Sequence, residues 1–262
     1  MNLSLSGKCA VVCGSTQGIG LAAARELSSL GAAVTLVARN EQALQEAFNE
    51  LSPVSDVQHG YIVADFSDPN QVKKAIEDWL AKGNRAHILV NNTGGPSGGP
   101  IVDAGIEQFE ATFRQHLVCN HIMAQALIPG MRESGYGRII NVISTSVKQP
   151  LKGLGVSNTI RAAVANWAKT LSMEVASAGI TVNNVLPGAT STGRLSSLME
   201  AKSSKTGKTV VDLQNEMIAE IPMGRFAKPE EIANAIAFLA SPAASYITGI
   251  NVPVDGGRTG SL

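Results

Sequence analysis

Cysteine is almost absent from this chain: Cys9, Cys13 and Cys119 are the only three among 262 residues. That excludes a disulfide-stapled scaffold, and the spacing suits no zinc site, so no metal is expected. Cys9 and Cys13 share one apolar run. On a strand they stand about 13 Å apart, at about 3.3 Å per residue, too far for a disulfide. Reduced thiols and a cytoplasmic location are the simplest reading.

An excess of either charge is missing as well. Lys+Arg and Asp+Glu both number 21, for a formal net charge of zero. Broad attraction to nucleic acid or to a membrane surface is therefore excluded. Near-zero charge favours self-association. No run of about 18 apolar residues exists, so no transmembrane helix is expected. Met1 to Lys8 lacks the apolar core of a secretory signal.

What the chain does have is core material, with 44% hydrophobic and 16% charged residues. Short strand-like runs alternate with helical stripes. Strands are expected at Cys9–Cys13, Ala33–Ala38, Gly60–Ala64, His87–Val90, Arg138–Ile143, Thr181–Leu186 and Ile247–Val254. Helices are expected from Ile19 to Leu30, around Leu44, Ala47, Phe48 and Leu51, and around Val72, Ala75, Ile76 and Trp79. A long helical region runs from Ile106 to Met131, and a five-turn stripe joins Val156, Ile160, Val164, Trp167, Leu171 and Val175. Ile232, Ala235, Ile236 and Leu239 mark the last helix.

This alternation implies an α/β fold. Right-handed crossovers would wind about seven parallel strands into one doubly wound sheet, a single domain over residues 1–262. Residues 193–222 interrupt the alternation beyond the end of a strand. Ligands bind at that edge, so the segment reads as a substrate lid with its own helices, or as a surface insertion.

Between the first strand and first helix lies Gly14-Ser15-Thr16-Gln17-Gly18-Ile19-Gly20. Gly14 permits a tight turn, Gly18 lets backbone approach a pyrophosphate, and Gly20 permits close helix–strand packing. The helix N-terminus then offers N–H donors to the anion.

With this GxxxGxG spacing the sequence resembles the short-chain dehydrogenase/reductase family, over nearly its whole length. Asn91-Asn92-Thr93-Gly94 is similar to that family's Asn-Asn-Ala-Gly segment, with Thr93 in place of alanine. Pro187-Gly188, with Thr190 and Thr192 after it, resembles the segment near the nicotinamide. Asp65-Phe66 matches the acidic position at the adenine. Tyr246-Ile247-Thr248-Gly249 and Val254-Asp255-Gly256-Gly257 match the C-terminal strand. The resemblance implies a Rossmann-type fold, an oxidoreductase similar to 3-oxoacyl-acyl-carrier-protein reductases, and a small-molecule substrate. It also implies a homotetramer or homodimer formed through the two long helices, with Ala162, Ala165 and Ala168 offering small residues for close packing.

The cofactor expected is NADPH rather than NADH. The second strand ends in Ala38-Arg39-Asn40, where a carboxylate would bind the ribose 2′-OH of NAD. Arg39 instead offers a planar fork of donors to a 2′-phosphate. Asn92 and Gly94 complete the expected cofactor contacts.

The family's chemistry uses a serine, then a tyrosine and, four residues after it, a lysine, with an upstream asparagine. Ser144 matches the serine. Thirteen residues on, the tyrosine position holds Ser157, and the lysine position holds Arg161. His116 stands at the asparagine position. A tyrosine phenol has a pKa of about 10, and a serine is a far weaker acid. Arg161 can bind ribose hydroxyls but stays charged, so it cannot shuttle a proton. Losing a general acid costs roughly 10²–10⁴-fold in rate.

Three readings stay open. A reductase could route the proton through Ser144, Ser157 and His116, whose ordinary pKa near 6.5 suits neutral pH. An imine or conjugated substrate could need little acid. A non-catalytic sensor or subunit could hold the dinucleotide alone. The turn formers Gly94 to Pro100 are expected beside the ligand, or as a plain turn. Lys148 is expected to join the pocket. Arg194, Lys202, Lys205 and Lys208 give the lid a basic bias that points to an anionic substrate.

Overall fold

A computed structural model of the chain describes residues 1–53 and 58–261. Seven strands form one sheet: β1 (Cys9–Cys13), β2 (Ala33–Ala38), β3 (Gly60–Val63), β4 (Ile88–Asn91), β5 (Gly137–Val142), β6 (Ile180–Pro187) and β7 (Asn251–Val254). All are parallel, in the order β3-β2-β1-β4-β5-β6-β7. The chain direction along the sheet reverses between β1 and β4. There the loops leaving the two strands diverge and open a crevice.

Helices cover both faces, as parallel strands require. Alternation along β1 shows the division. Val12 packs with α1 (Gly18–Ser29) and α9 (Pro229–Ala240), whereas Val11 and Cys13 face the opposite core. That second core holds α3 (Pro69–Ala81), α5 (Cys119–Glu133) and α6 (Gly155–Val175), through Val72, Ile76, Met123, Leu127 and Val175. Local chemistry sets the helix starts. The Asp68 carboxylate accepts from Asn70 N (3.0 Å), and Pro69 follows at the first helical position. Asn40 starts α2 (Glu41–Phe48) by accepting from Ala43 N at 3.1 Å.

Three elements depart from the sequence expectations. The region after Ile106 is not one regular helix. It runs as α4 (Ile106–Phe113), a π-helical turn over Arg114–Val118, and then α5. The wider turn inserts a residue into the 3.6-residue period, which the apolar spacing does not reveal. The last strand begins at Asn251 rather than Ile247, because Gly249 takes a left-handed φ of 70° that breaks the extended run. Ala165 and Ala168 are buried against the molecule's own core, so of the three alanines only Ala162 is exposed.

Residues 193–222 do form helices, α7 (Gly193–Thr206) and α8 (Val210–Ala219). They are capped by Thr192 and Thr209 and separated at Gly207, where φ is 72°. Met199 and Leu213 pin them to the body.

The register of the C-terminal half is held by a row of one residue type. Asn91, Asn141, Asn184 and Asn251 stand directly opposite one another on β4 to β7. Each amide donates to the next carbonyl: Asn91 to Asn141 at 2.9 Å, Asn141 to Asn184 at 2.9 Å, and Asn184 to Asn251 at 2.8 Å. Buried amides left without partners destabilise by about 1–3 kcal/mol each. A one-residue slip of any strand would break the row. Asn141→Ala removes two of the three bonds. It is expected to destabilise the fold by about 2–4 kcal/mol, read as a lower midpoint in urea unfolding. An unchanged midpoint would show that the row does not hold the register.

Candidate functional site

The crevice between β1 and β4 opens into a cleft of about 640 Å³ at the C-terminal ends of the strands. Its floor is the turn after β1. Gly14 and Gly18 have φ of 59° and 56°, left-handed values that glycine adopts without strain. A Cβ at Gly14 would lie 2.5 Å from the Asn92 carbonyl oxygen, and one at Gly20 would lie 2.1 Å from the Gly14 carbonyl oxygen. The turn is thus packed too closely for side chains there. Asn92 ties it to β4 by donating to the carbonyls of Cys13 (3.3 Å) and Gly14 (3.2 Å). No side chain caps the start of α1, so its first N–H groups face the cleft unclaimed by a cap.

Thr16, Gln17, Gly18 and Ile19 line the cleft with Gly14. Ser15 does not. It is fully buried, and its hydroxyl accepts from Val37 N at 3.0 Å, fastening the turn to β2. Gly20 lies behind the floor as a packing residue.

At one end of the cleft stand Arg39, Asp65 and Phe66. Arg39 is exposed and in no ion pair among the described residues. The Asp65 carboxyl is held below its usual range, chiefly by hydrogen bonding from Ser67 N, and in smaller part by the Arg39 charge. Asn40 is not on the cleft wall; its side chain is committed to capping α2.

At the other end the structure brings together Gly94, Ser144, Ser157, Arg161, Pro187, Gly188, Thr190 and Thr192. Ser144 follows β5, and its hydroxyl accepts from Ser146 N at 3.1 Å. Ser157 and Arg161 sit one turn apart on α6. Arg161 Nη1 donates to the Val142 carbonyl at 2.7 Å. Burial, with the Arg194 charge beside it, lowers the Arg161 pKa to about 10, which still leaves it protonated at neutral pH.

Several wall residues carry no motif of their own: Gln115, Leu151, Leu154, Leu198 and Met217. The π-helical turn explains Gln115. Its extra residue rotates Gln115 to the cleft and His116 inward. The glycine-proline loop was legible, and Gly94, Gly95 and Pro96 do line the cleft. The basic lid was legible only in part. Arg194 reaches the cleft, but Lys148, Lys202, Lys205 and Lys208 do not, and Lys208 is paired with Glu216.

His116 departs most from expectation. It lies beneath the wall at 3% exposure, with Nδ1 2.6 Å from the Thr93 hydroxyl. Nε2 has no hydrogen-bond partner among the described residues. Burial first, then the Arg161 and Arg194 charges, drive its pKa down to about 2. The ring is therefore neutral at every physiological pH, and the expected proton donor titrating near neutrality is not what the structure holds.

That depression has a stability consequence. The unfolded chain binds a proton at this ring below its ordinary value of 6.5, while the folded chain does not until about 2. Acid therefore favours unfolding through this window, by up to about 1.4 kcal/mol per pH unit from this group. His116→Gln should flatten the fall in unfolding free energy between pH 6 and pH 4, on the order of that slope. Denaturant titrations across pH measure it, and an identical slope in the variant would contradict the buried neutral ring.

The fold and cleft can be set beside known proteins. The family model described as enoyl-(acyl carrier protein) reductase matches residues 14–259. The 4-formylbenzenesulfonate dehydrogenase of Comamonas testosteroni is 31% identical, over 98% of this chain and 99% of its own length. The 3-oxoacyl-[acyl-carrier-protein] reductase FabG of Rickettsia conorii is 33% identical, over 97% and 98%. The crystal structure of L-sorbose reductase from Gluconobacter frateurii, complexed with NADPH and L-sorbose, superposes with a TM-score of 0.93 at 35% identity, covering both chains fully. On the matched family model, the sheet order and the glycine turn, the chain belongs to the short-chain dehydrogenase/reductase family of oxidoreductases.

Proposed function

We propose that this chain is an NADPH-dependent reductase of a small anionic electrophile, working without a tyrosine acid. One observation carries the reading. Among the described residues lining the cleft, the ionisable ones are Arg39, Arg161, Arg194, Arg258 and Asp65. No histidine, cysteine, lysine or tyrosine is among them, and the four arginines outnumber the one carboxylate. The three tyrosines, Tyr61, Tyr136 and Tyr246, all lie outside the cleft.

The residues present suit NADPH. The packed glycine turn and the uncapped start of α1 fit a pyrophosphate. The unpaired Arg39 fits a 2′-phosphate, whose charge a carboxylate at that place would repel. The NADPH complex of L-sorbose reductase supports the same choice. When bound, NADPH supplies a hydride to an electrophilic carbon and leaves as NADP⁺.

The chain's own groups then do the rest. The Ser144 and Ser157 hydroxyls orient the acceptor atom. Arg161 holds ribose hydroxyls and offsets negative charge developing nearby, without moving a proton. The proton that completes reduction comes from solvent or from the substrate. An imine or a conjugated acceptor is therefore favoured over a simple ketone, since it needs less acid assistance. The name of 4-formylbenzenesulfonate dehydrogenase describes a relative acting on an anionic aromatic aldehyde, which fits the arginine-rich wall. Ile106, Phe113 and Met173 leave apolar surface exposed on α4 and α6, in keeping with assembly through those helices.

NADPH consumption against a panel of carbonyl, imine and conjugated acceptors tests the activity. Ser144→Ala is expected to lower kcat by about 10²-fold while still binding NADPH. No turnover with any acceptor would leave a dinucleotide-binding sensor or subunit as the better account. Arg39→Ala should weaken NADPH by about 10²-fold in direct titration and change NADH little. Equal losses for both cofactors would remove Arg39 from the 2′-phosphate.

A further inference from the structure

Arg161 and Arg194 come from different elements, α6 and the first turn of α7, yet both end at Gly95. A carbon placed at the Cβ position of Gly95 would lie 3.5 Å from Arg194 Nη2 and 3.7 Å from Arg161 Nη2. Among the described residues each guanidinium donates to one carbonyl. Arg161 donates to Val142 O at 2.7 Å, and Arg194 donates to Pro96 O. A guanidinium carries five N–H donors, so most remain open on both.

Five other arginines find carboxylates: Arg25 with Glu50, Arg85 with Glu133, Arg114 with Glu110, Arg225 with Glu231 and Arg258 with Glu220. Arg161 and Arg194 have no carboxylate within ion-pair distance among the described residues. Two like charges, half-buried Arg161 and exposed Arg194, converge on Gly95 and raise the energy of the empty site. A carboxylate, with one oxygen toward each guanidinium at about 2.8 Å, matches the planar forks and removes that repulsion. Beyond the pair the wall turns apolar through Leu151, Leu154, Leu198 and Met217.

We propose that Arg161 and Arg194 form the seat of a substrate carboxylate, whose apolar body lies on the leucines and Met217 of the outer wall. The inference rests on the reductase reading above and adds the substrate class. The cofactor's own anions have separate seats, the uncapped start of α1 and Arg39, so the pair is open to a substrate anion while other Arg161 donors reach the ribose hydroxyls.

The test is calorimetric titration of benzoate, and of uncharged benzamide, into the chain saturated with NADP⁺. Benzoate should bind saturably and at least about tenfold more tightly than benzamide. Arg194→Gln should abolish that preference, and Arg194→Lys should keep part of it. Equal affinity for the two compounds would sink the seat, as would absence of saturable benzoate binding. Competition between benzoate and NADP⁺ would assign the pair to the cofactor instead, as would loss of NADP⁺ binding in Arg194→Gln. If the unmodified chain binds no NADP⁺, the reductase reading falls and the seat with it. If NADP⁺ binds but benzoate shows no preference, only the seat falls.

Discussion

Everything at the functional edge depends on where the strands of the sheet stop. In a parallel sheet the register of each pair sets where one strand ends against its neighbour, and so where the next loop begins. The asparagine row across β4 to β7 makes that stopping point common to four strands. Asn92 follows Asn91 directly, Ser144 comes three residues after Asn141, and Pro187 three after Asn184. A polar row inside a core is stable only when its members are paired, and shifting one strand unpairs its neighbours. The site inherits its alignment from that constraint. The Oδ1 of Asn91 ends the row without a partner, next to β1 and the crevice.

The second organising fact is electrostatic. Arg161 is held where its guanidinium is largely removed from water, the Arg194 charge lowers its basicity further, and both arginines depress that of His116. Charges kept in such a place lower stability unless a partner arrives. Functional sites tolerate this because the partner is the ligand, and binding then recovers the energy. The neutral His116 belongs to the same arrangement. A third cation beneath Thr93 would add to a field with no carboxylate paired to it among the described residues, so the ring stays unprotonated and serves as a packed, hydrogen-bonded support.

Much of this was legible in the sequence. Strand positions came from apolar runs, and their parallel order from alternation with helices. The floor of the cleft came from glycines whose spacing has a steric meaning, and Ser144, Ser157 and Arg161 do meet in one wall. What was not legible depended on events without a local signal. The π-helical turn comes from an inserted residue that leaves the apolar period nearly intact, so Gln115, not the expected His116, lines the cleft. Ser15 and Asn40 were expected at a cofactor but are spent on β2 and on the cap of α2. Those bonds reach partners that only the folded chain supplies or that compete with a ligand for one side chain. Of the lid's basic residues only Arg194 turns inward, because it alone stands in the turn that faces Gly95. The lysines farther along α7 look outward.

On the proposed reading, with Ser157 and Arg161 standing where the family has a titrating pair, pH acts on the site differently. A tyrosine–lysine pair alters its charge as it works, because the phenol gives up a proton that the neighbouring ammonium helps to release. Here the arginines keep their charge and the serines keep their protons throughout the neutral range. The field above the nicotinamide end is then constant from weakly acid to weakly alkaline conditions. Any pH dependence of turnover in that range must come from the substrate or from solvent proton supply. A fixed positive field favours acceptors whose negative charge is permanent or develops during reduction. It disfavours those that must be protonated by the protein before hydride arrives. On the proposed reading, the wall of Arg161 and Arg194 selects by charge in the place where the family's usual pair would supply a proton.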